Sequence, residues 1–337
     1  MAVLVTGGAG YIGSHTVVHL KERGEEVVVL DGLKTGHVGA VQGDAFYEGD
    51  LRDGEVLERI FSGHDIDAVV HFAASSLVGE SAENPLKYYD NNVYGTLCLL
   101  RKMAEHGVEK IVFSSTAAVY GEPKNIPIRE TDPTRPTNPY GETKLAVEKM
   151  LAWCEKASGV RSVSLRYFNA AGALPGGQMG EDHDPETHLI PIVLQTALGQ
   201  RESIAIFGED YPTKDGTCIR DYIHVMDLAE AHGLALEKLR RGGGSGVYNL
   251  GNGEGFSVKE VIRVAREVTG REIPVKAAPR RSVDPAVLVA SSEKARSELG
   301  WQPKYPRLEE IIESAWNWHQ SHPHGYESRH GERGSAG

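Results

Sequence analysis

The chain is poor in cysteine: Cys98, Cys154 and Cys218 are the only three in 337 residues, odd in number and far apart. They fit neither a disulfide framework nor a zinc ligand set, and a reducing cytoplasm is the simplest compartment. No run approaches the roughly 18 apolar residues of a membrane span, so no membrane partner is expected. No basic and apolar leader precedes the strand-like "AVLVT" near the start, which also reads as cytoplasmic. Positive charge is in deficit as well, with 36 Lys and Arg against 47 Asp and Glu and a net charge of -11. That argues against a nucleic-acid or anionic-membrane surface and leaves room for a local basic pocket that takes a phosphate. No internal repeat is present. What the chain does have is 40% hydrophobic residues, enough to bury a sizeable core over one elaborated domain or two.

The first half alternates strand and helix signals. "VLVT", a glycine-rich "GGAGYIG", the helically spaced "SHTVVHLKERG" and the apolar "EVVVLD" make a βαβ unit. Further apolar runs, "DAVVHFAA", "KIVFSS" and "SVSLRYF", are separated by the helical stretches at 84–107 and 138–159. Strands apolar throughout predict a parallel sheet covered on both faces, a doubly wound α/β fold.

Gly7, Gly10 and Gly13 lie between the first strand and helix, and Asp31 ends the next strand at about the 20-residue distance expected of a dinucleotide site. Glycines let backbone approach a pyrophosphate at a helix N-terminus, and the carboxylate can accept from ribose hydroxyls. A carboxylate repels a 2′-phosphate, so NAD is favoured over NADP, with Lys34 nearby as a counterweight. Asp50, in "GDLRD", sits at a strand end where it can meet an adenine. The small residues of "HFAA" can let a flat cofactor lie against the backbone, and close helix packing explains Ala73 and Ala74 equally well.

"NPYGETK", Asn138 to Lys144, has two readings. In one, Asn138 caps a surface helix, Pro139 starts it, and Tyr140 and Lys144 merely share a face. In the other, Lys144 and the helix N-terminus convert Tyr140 into a base. A free tyrosine titrates near 10; an ammonium about 6 Å away at an effective dielectric of about 20 is worth roughly 3 kcal/mol, or about 2 pKa units. With the helix dipole and an oxidised nicotinamide acting in the same direction, the phenol is expected near neutrality, where a general base works best.

The second half is less regular. A polar stretch at about 170–188, "GALPGGQMGEDHDPETH" within it, is too long for a simple connection. Its His183 and His188 stand among Glu181, Asp182, Asp184 and Glu186 without helical ligand spacing, so the expectation is a solvated acidic loop and no metal. "HLIPIVLQTALGQ" reads as a helix, "IAIFG" as a strand, and "RDYIHVMDLAEAHGLALEKL" as a strand entering a helix capped at Asp227. Ser257 and Glu260 form a capping box at the head of another helix, and "APRRSVDP" brings arginines and Asp284 together.

"GGAGYIGSH", "HFAA", "YYDNNVYGT", "SSTAAVYG", "NPYGETK", "RYFNAAG", "RDYIHVMDLA" and "NLG" together resemble the extended short-chain dehydrogenase/reductase superfamily, and within it the nucleotide-sugar epimerases, over about residues 1–325. The resemblance implies a Rossmann-type NAD-binding domain of residues 1–168 plus about 219–251. It implies a smaller α/β domain for a UDP-sugar at about 169–218 and 252–325, and a flexible tail at 326–337. It implies 4-epimerisation of UDP-glucose and UDP-galactose through a 4-keto sugar, with Tyr140, Lys144 and Thr116 as the catalytic set. Tyr140 exchanges the proton of the 4-hydroxyl, Lys144 bonds the nicotinamide ribose, and Thr116 bonds the reacting oxygen.

For NAD, the resemblance carries over Gly7, Gly10, Tyr11, Ile12, Asp31, Asp50, Leu51, Phe72, Ala73, Ala74, Asn92, Tyr140, Lys144 and Tyr167. Ser76 stands where many members place a lysine. For the nucleotide sugar it carries over Asn169, His188, Leu189, Ala205, Phe207, Arg220, Tyr222, Arg281 and Asp284, besides Thr116 and Tyr140. Arginines suit a diphosphate through their forked donors. Leu288 occupies the position thought to gate the sugar's 2-substituent; being smaller than tyrosine, it implies some activity on UDP-N-acetylhexosamines. A homodimer through the helices at about 85–106 and 139–157 is also implied. A 4,6-dehydratase on this fold places an Asp-Glu pair after the threonine, where this chain has Ala117 and Ala118. A UDP-glucuronate epimerase or decarboxylase, and a silent NAD-binding sensor, are the remaining alternatives.

Overall fold

A computed structural model describes residues 1–280 and 285–326. Strands β1 (Ala2–Thr6), β2 (Glu26–Asp31), β3 (Ala45–Glu48), β4 (Ile66–His71), β5 (Lys110–Ser114) and β6 (Arg161–Arg166) join Gly246–Asn249 in one sheet. From edge to edge the order is Gly246–Asn249, β6, β5, β4, β1, β2, β3, and every neighbouring pair is parallel. The chain runs outward from β1 to β3 and then crosses back to β4 on the other side of β1. That reversal opens a crevice at the carboxyl ends of β1 and β4, where doubly wound sheets bind ligands.

Successive residues of β1 feed opposite layers, as a two-residue period requires. Val3 and Val5 pack with Val17 and Leu20 of α1 (Tyr11–Glu22) and with Leu228 and Leu236 of the Val225–Arg240 helix. Ala2 and Leu4 pack with Leu57 and Ile60 of α2 (Gly54–Gly63), Leu99 of the Gly95–Glu105 helix, and Leu151 of the Pro139–Ser158 helix. The expected doubly wound fold is therefore present. A separate core joins Ile190 and Leu194, Ile204 and Ile206, Val261 and Val264, and Ile311 and Trp316, all from the second half.

Several local expectations hold and others need correction. The Ser257–Glu260 capping box forms. The helix of residues 225–240 is capped by His224, whose Nδ1 accepts from Met226 N at 3.1 Å. Asp227 instead accepts from Lys304 N and Tyr305 N at 2.7 and 3.0 Å, a tertiary demand that no local pattern reveals. The helical stretch at 84–107 is interrupted by a π-helical turn, Tyr89–Tyr94. The expected tail start, Tyr326, is fixed: its N–H donates to Asp182 Oδ2 at 2.8 Å and its ring stacks on His37. Arg281, Asp284 and residues 327–337 lie outside the described residues. Among the described residues, no helix is long and apolar enough to cross a membrane.

Candidate active site

Backbone demands shape the glycine loop. Gly7 follows β1 with φ 75°, and a Cβ there would meet Ala73 N at 2.6 Å. A Cβ on Gly13 would sit 2.0 Å from the Gly7 carbonyl oxygen. The chain's own packing requires both. Gly10 differs, because the nearest atom to its Cβ would be that same oxygen at 3.4 Å. Gly10 is also the N-cap of α1 and offers no side chain to the helix's first N–H groups, the arrangement an anion exploits. Tyr11 and Ile12 open α1, and the Tyr11 hydroxyl donates to Gly172 O at 2.6 Å.

Asp31 braces this loop. Its Oδ2 accepts from Ala9 N at 2.9 Å and its Oδ1 from Leu33 N at 2.8 Å, leaving each oxygen a lone pair for a ribose hydroxyl. Lys34 faces Asp50 at 3.1 Å, and Arg52 Nε grips the same carboxylate at 2.7 Å. Arg52 foremost, with Lys34, holds the Asp50 carboxyl well below the usual range. Leu51 is buried in the sheet's core. The N–H groups of Phe72 and Ala73 both donate to Thr6 O, drawing "HFAA" against Gly7, with Ala74 half-buried beside them. Asn92, on the π-helical turn, accepts from Ser75 N at 2.8 Å and donates to Ser75 O and Thr143 Oγ1 at 3.0 Å. Its amide therefore ties the loop after β4 to the helix that carries Tyr140.

That helix starts as expected, with Asn138 Oδ1 accepting from Gly141 N at 2.9 Å and Pro139 at the first position. Tyr140, Lys144 and Glu148 follow one another four apart on one face. A Cβ on Gly141 would strike Ala118 O at 2.7 Å, so glycine lets the helix press onto the turn headed by Thr116. Lys144 is buried, donates from Nζ to Ser114 O at 2.7 Å, and lies 6.0 Å from the centre of the Tyr140 ring. Burial works against the lowering expected of the phenol. Burial pushes Tyr140 up to about 12, opposed by its hydrogen bond with Thr116. Burial also pushes Lys144 down to about 7, opposed by Glu148. Desolvation of both partners opposes the attraction that their spacing implies.

Behind the pair lies a polar network whose members carry no expected role, drawn mostly from "SSTAAVYG", "RYFNAAG" and "NLG". Glu148 accepts from Ser115 Oγ at 2.5 Å and Arg166 Nε at 2.9 Å. Arg166 Nη1 donates to Tyr120 OH, which donates to Asn249 Oδ1 at 2.7 Å. Glu148 alone lies outside those motifs, and its signal is its position a turn beyond Lys144. Tyr167 OH pairs with Ser114 Oγ at 2.5 Å, and burial holds its pKa well above the ordinary value.

Among the expected sugar-nucleotide contacts, Asn169 and Tyr222 are register partners in a short parallel pair. Arg220 and Leu288 are register partners in another. Leu288 also packs with Ala117, Val119 and Leu145 beside Thr116. Along Ile204–Phe207 the isoleucines are buried, while Ala205 and Phe207 take the exposed alternate positions. Leu189 opens the Leu189–Ala197 helix, half-buried on the second core, and His188 precedes it as N-cap. The His188 ring turns to the acidic loop, with Nδ1 2.7 Å from Glu181 Oε1. The expectation of a solvated acidic loop fails here, since the Glu181 and Glu186 side chains are only 5% and 4% exposed.

A half-buried tyrosine one helical turn from a buried lysine, beside a nucleotide-binding crevice, suits proton transfer coupled to redox and places the chain among the dinucleotide-dependent enzymes built on a doubly wound sheet. Residues 3–251 match the NAD dependent epimerase/dehydratase family, and the chain belongs to it. The UDP-glucose 4-epimerase of Halalkalibacterium halodurans is 67% identical over 333 residues, 99% of this chain and 100% of that protein. A crystal structure of a UDP-glucose 4-epimerase is 60% identical, with a TM-score of 0.96 over 97% of this chain and 100% of its own. The UDP-glucose 4-epimerase of Bifidobacterium longum, solved with NAD+ and UDP, is 41% identical, with a TM-score of 0.91 over 97% of this chain and 100% of its own.

Proposed function

We propose that the chain interconverts UDP-glucose and UDP-galactose by inverting carbon 4 of the sugar, with NAD as a retained cofactor. The observation that carries this reading is the half-buried Tyr140 phenol facing Thr116, with buried Lys144 Nζ 6.0 Å from the centre of its ring. The residues present fit the cofactor: Gly10 and the uncapped start of α1 can take a pyrophosphate, and Asp31 keeps lone pairs for the adenosine ribose. The pairing of Lys34 with Asp50 favours NAD over NADP, because that cation is already neutralised. When bound, NAD supplies a reversible hydride acceptor at carbon 4 and, oxidised, a positive charge beside the phenol. Tyr140 takes the proton of the 4-hydroxyl, Thr116 steadies the reacting oxygen, and Tyr140 returns the proton once the 4-keto sugar has turned over. Lys144 stabilises the phenolate while that proton is away.

Asn169, His188, Leu189, Ala205, Phe207, Arg220 and Tyr222 hold the UDP-sugar in this reading, together with Arg281 and Asp284, between a nucleotide domain and a smaller substrate domain. Leu288 beside Thr116 leaves space that a tyrosine would fill, so UDP-N-acetylhexosamines are also turned over. The enzyme works in the cytoplasm as a homodimer; Leu86, Tyr89, Tyr94 and Trp153, all exposed, lie on the two helical stretches expected at the interface.

Purified protein incubated with UDP-galactose yields UDP-glucose with no net NADH. Stoichiometric NADH, or no conversion, contradicts the reading. A parallel incubation with UDP-N-acetylglucosamine yields its 4-epimer, and no turnover at high enzyme concentration rejects the role of Leu288.

A further inference from the structure

The loop ahead of the Leu189–Ala197 helix gathers Glu181, His183, Glu186 and His188 so that one ligand atom from each lies within 4.8 Å of the others. Both imidazoles present Nδ1 to the same two carboxylates. His183 Nδ1 is 3.2 Å from Glu181 and 3.7 Å from Glu186; His188 Nδ1 is 2.7 Å from Glu181 and 3.2 Å from Glu186. Around a tetrahedral ion with bonds of about 2.0 to 2.1 Å, neighbouring ligand atoms stand about 3.3 Å apart; Glu181 Oε1, shared by both imidazoles, lies 3.2 and 2.7 Å from them, while Glu186 meets His183 through Oε2 and His188 through Oε1. His183 Nδ1 is shielded from solvent yet makes no hydrogen bond, although Glu181 Oε1 is near. A nitrogen close to an oxygen but not aimed along a hydrogen bond is what a shared central ion requires.

Charge makes the same point. Two buried carboxylates are balanced in a metal-free protein when both imidazoles are protonated, with ring centres 5.3 Å apart. A divalent ion replaces the two imidazole protons, keeps the total charge at zero and removes the repulsion between two cationic rings.

We propose that Glu181, His183, Glu186 and His188 form a structural site for a borderline divalent transition ion of the Zn2+, Co2+ or Ni2+ class, for which mixed imidazole and carboxylate donors are suited. The site fastens a loop otherwise held by Trp318 Nε1 donating to Glu181 O at 3.0 Å and by His37 on Asp182 O at 2.9 Å. His183 lies edge-on to Tyr11 of the cofactor helix, so the ion staples the approach to the sugar-nucleotide side onto the cofactor side. A cavity of about 330 Å³ adjoins the site, lined also by His319, His322 and Gln195, and provides an entry path.

The test uses the full-length holoenzyme after chelator treatment and dialysis. Calorimetric titration with Zn2+ is expected to show one ion per chain at micromolar affinity or tighter. Co2+ is expected to give the intense visible bands of a tetrahedral nitrogen and oxygen site. The Glu181→Gln/His183→Asn variant should weaken binding by at least about 100-fold, whereas His322→Asn/His324→Asn, on the neighbouring tail, should not. Binding that survives the first variant and is lost in the second overturns the proposal, as does the absence of both heat and visible bands in the wild type. The second result would leave the quartet a pure ion-pair cluster. Should the first variant fail to fold, the wild-type Co2+ spectrum decides alone: no tetrahedral bands, no site.

Discussion

At the residue scale, the proposed chemistry rests on two groups that burial drives toward neutrality from opposite sides, Tyr140 up to about 12 and Lys144 down to about 7. Each is a poor ion alone, and in the proposed mechanism phenolate and ammonium would support one another. Removing the ammonium should therefore move the rising limb of kcat/KM, which reports phenol ionisation, to higher pH. For Lys144→Met a shift of about 2 pH units is expected from a charge about 6 Å away at an effective dielectric of about 20. Activity profiles from pH 6 to 10 check this, and a loss equal at every pH would assign Lys144 to cofactor binding alone. The pair was legible in "NPYGETK" because helical spacing fixes which side chains share a face. Its protonation was not, because desolvation depends on what the rest of the chain packs around it. Glu148 and Arg166 escaped notice for the same reason: a charged pair reads as surface until the fold buries it.

At the element scale, the strand, glycine loop and helix at the start were readable because backbone geometry there is local. Within the loop the glycines have separable roles. Gly13→Ala puts a Cβ on the Gly7 carbonyl and should unseat α1, lowering thermal stability together with NAD content. Gly10→Ala meets ordinary contact only, so it should preserve the melting temperature of NAD-free protein and still weaken NAD retention. Melting curves beside cofactor absorbance separate the two cases; equal loss of stability in both variants would contradict the assignment. The helix cap at Asp227 and the solvated loop at 181–188 misread for one reason. Each is tied to partners distant in sequence, the Asp227 side chain to the Lys304 and Tyr305 amides and the Glu181 backbone carbonyl to Trp318 Nε1, which draws the loop inward.

At the scale of the whole molecule, the parallel sheet reverses direction at β1, and that single topological fact places the glycine loop, "HFAA" and the tyrosine helix around one crevice. Exposed Leu86, Tyr89, Tyr94 and Trp153 are costly to leave in water, each being worth about 1.5 to 3 kcal/mol when fully covered. If the proposed homodimer forms through these helices, Trp153→Glu is expected to shift it to monomer in light scattering, and a dimer mass unchanged by the substitution would move the interface elsewhere. The most direct test of the central claim is Tyr140→Phe holoenzyme incubated with UDP-galactose. The variant should retain NAD and lose conversion by about 10² to 10⁴-fold, the usual contribution of a positioned acid and base. Conversion at the wild-type rate with NAD still bound would remove Tyr140 from the mechanism.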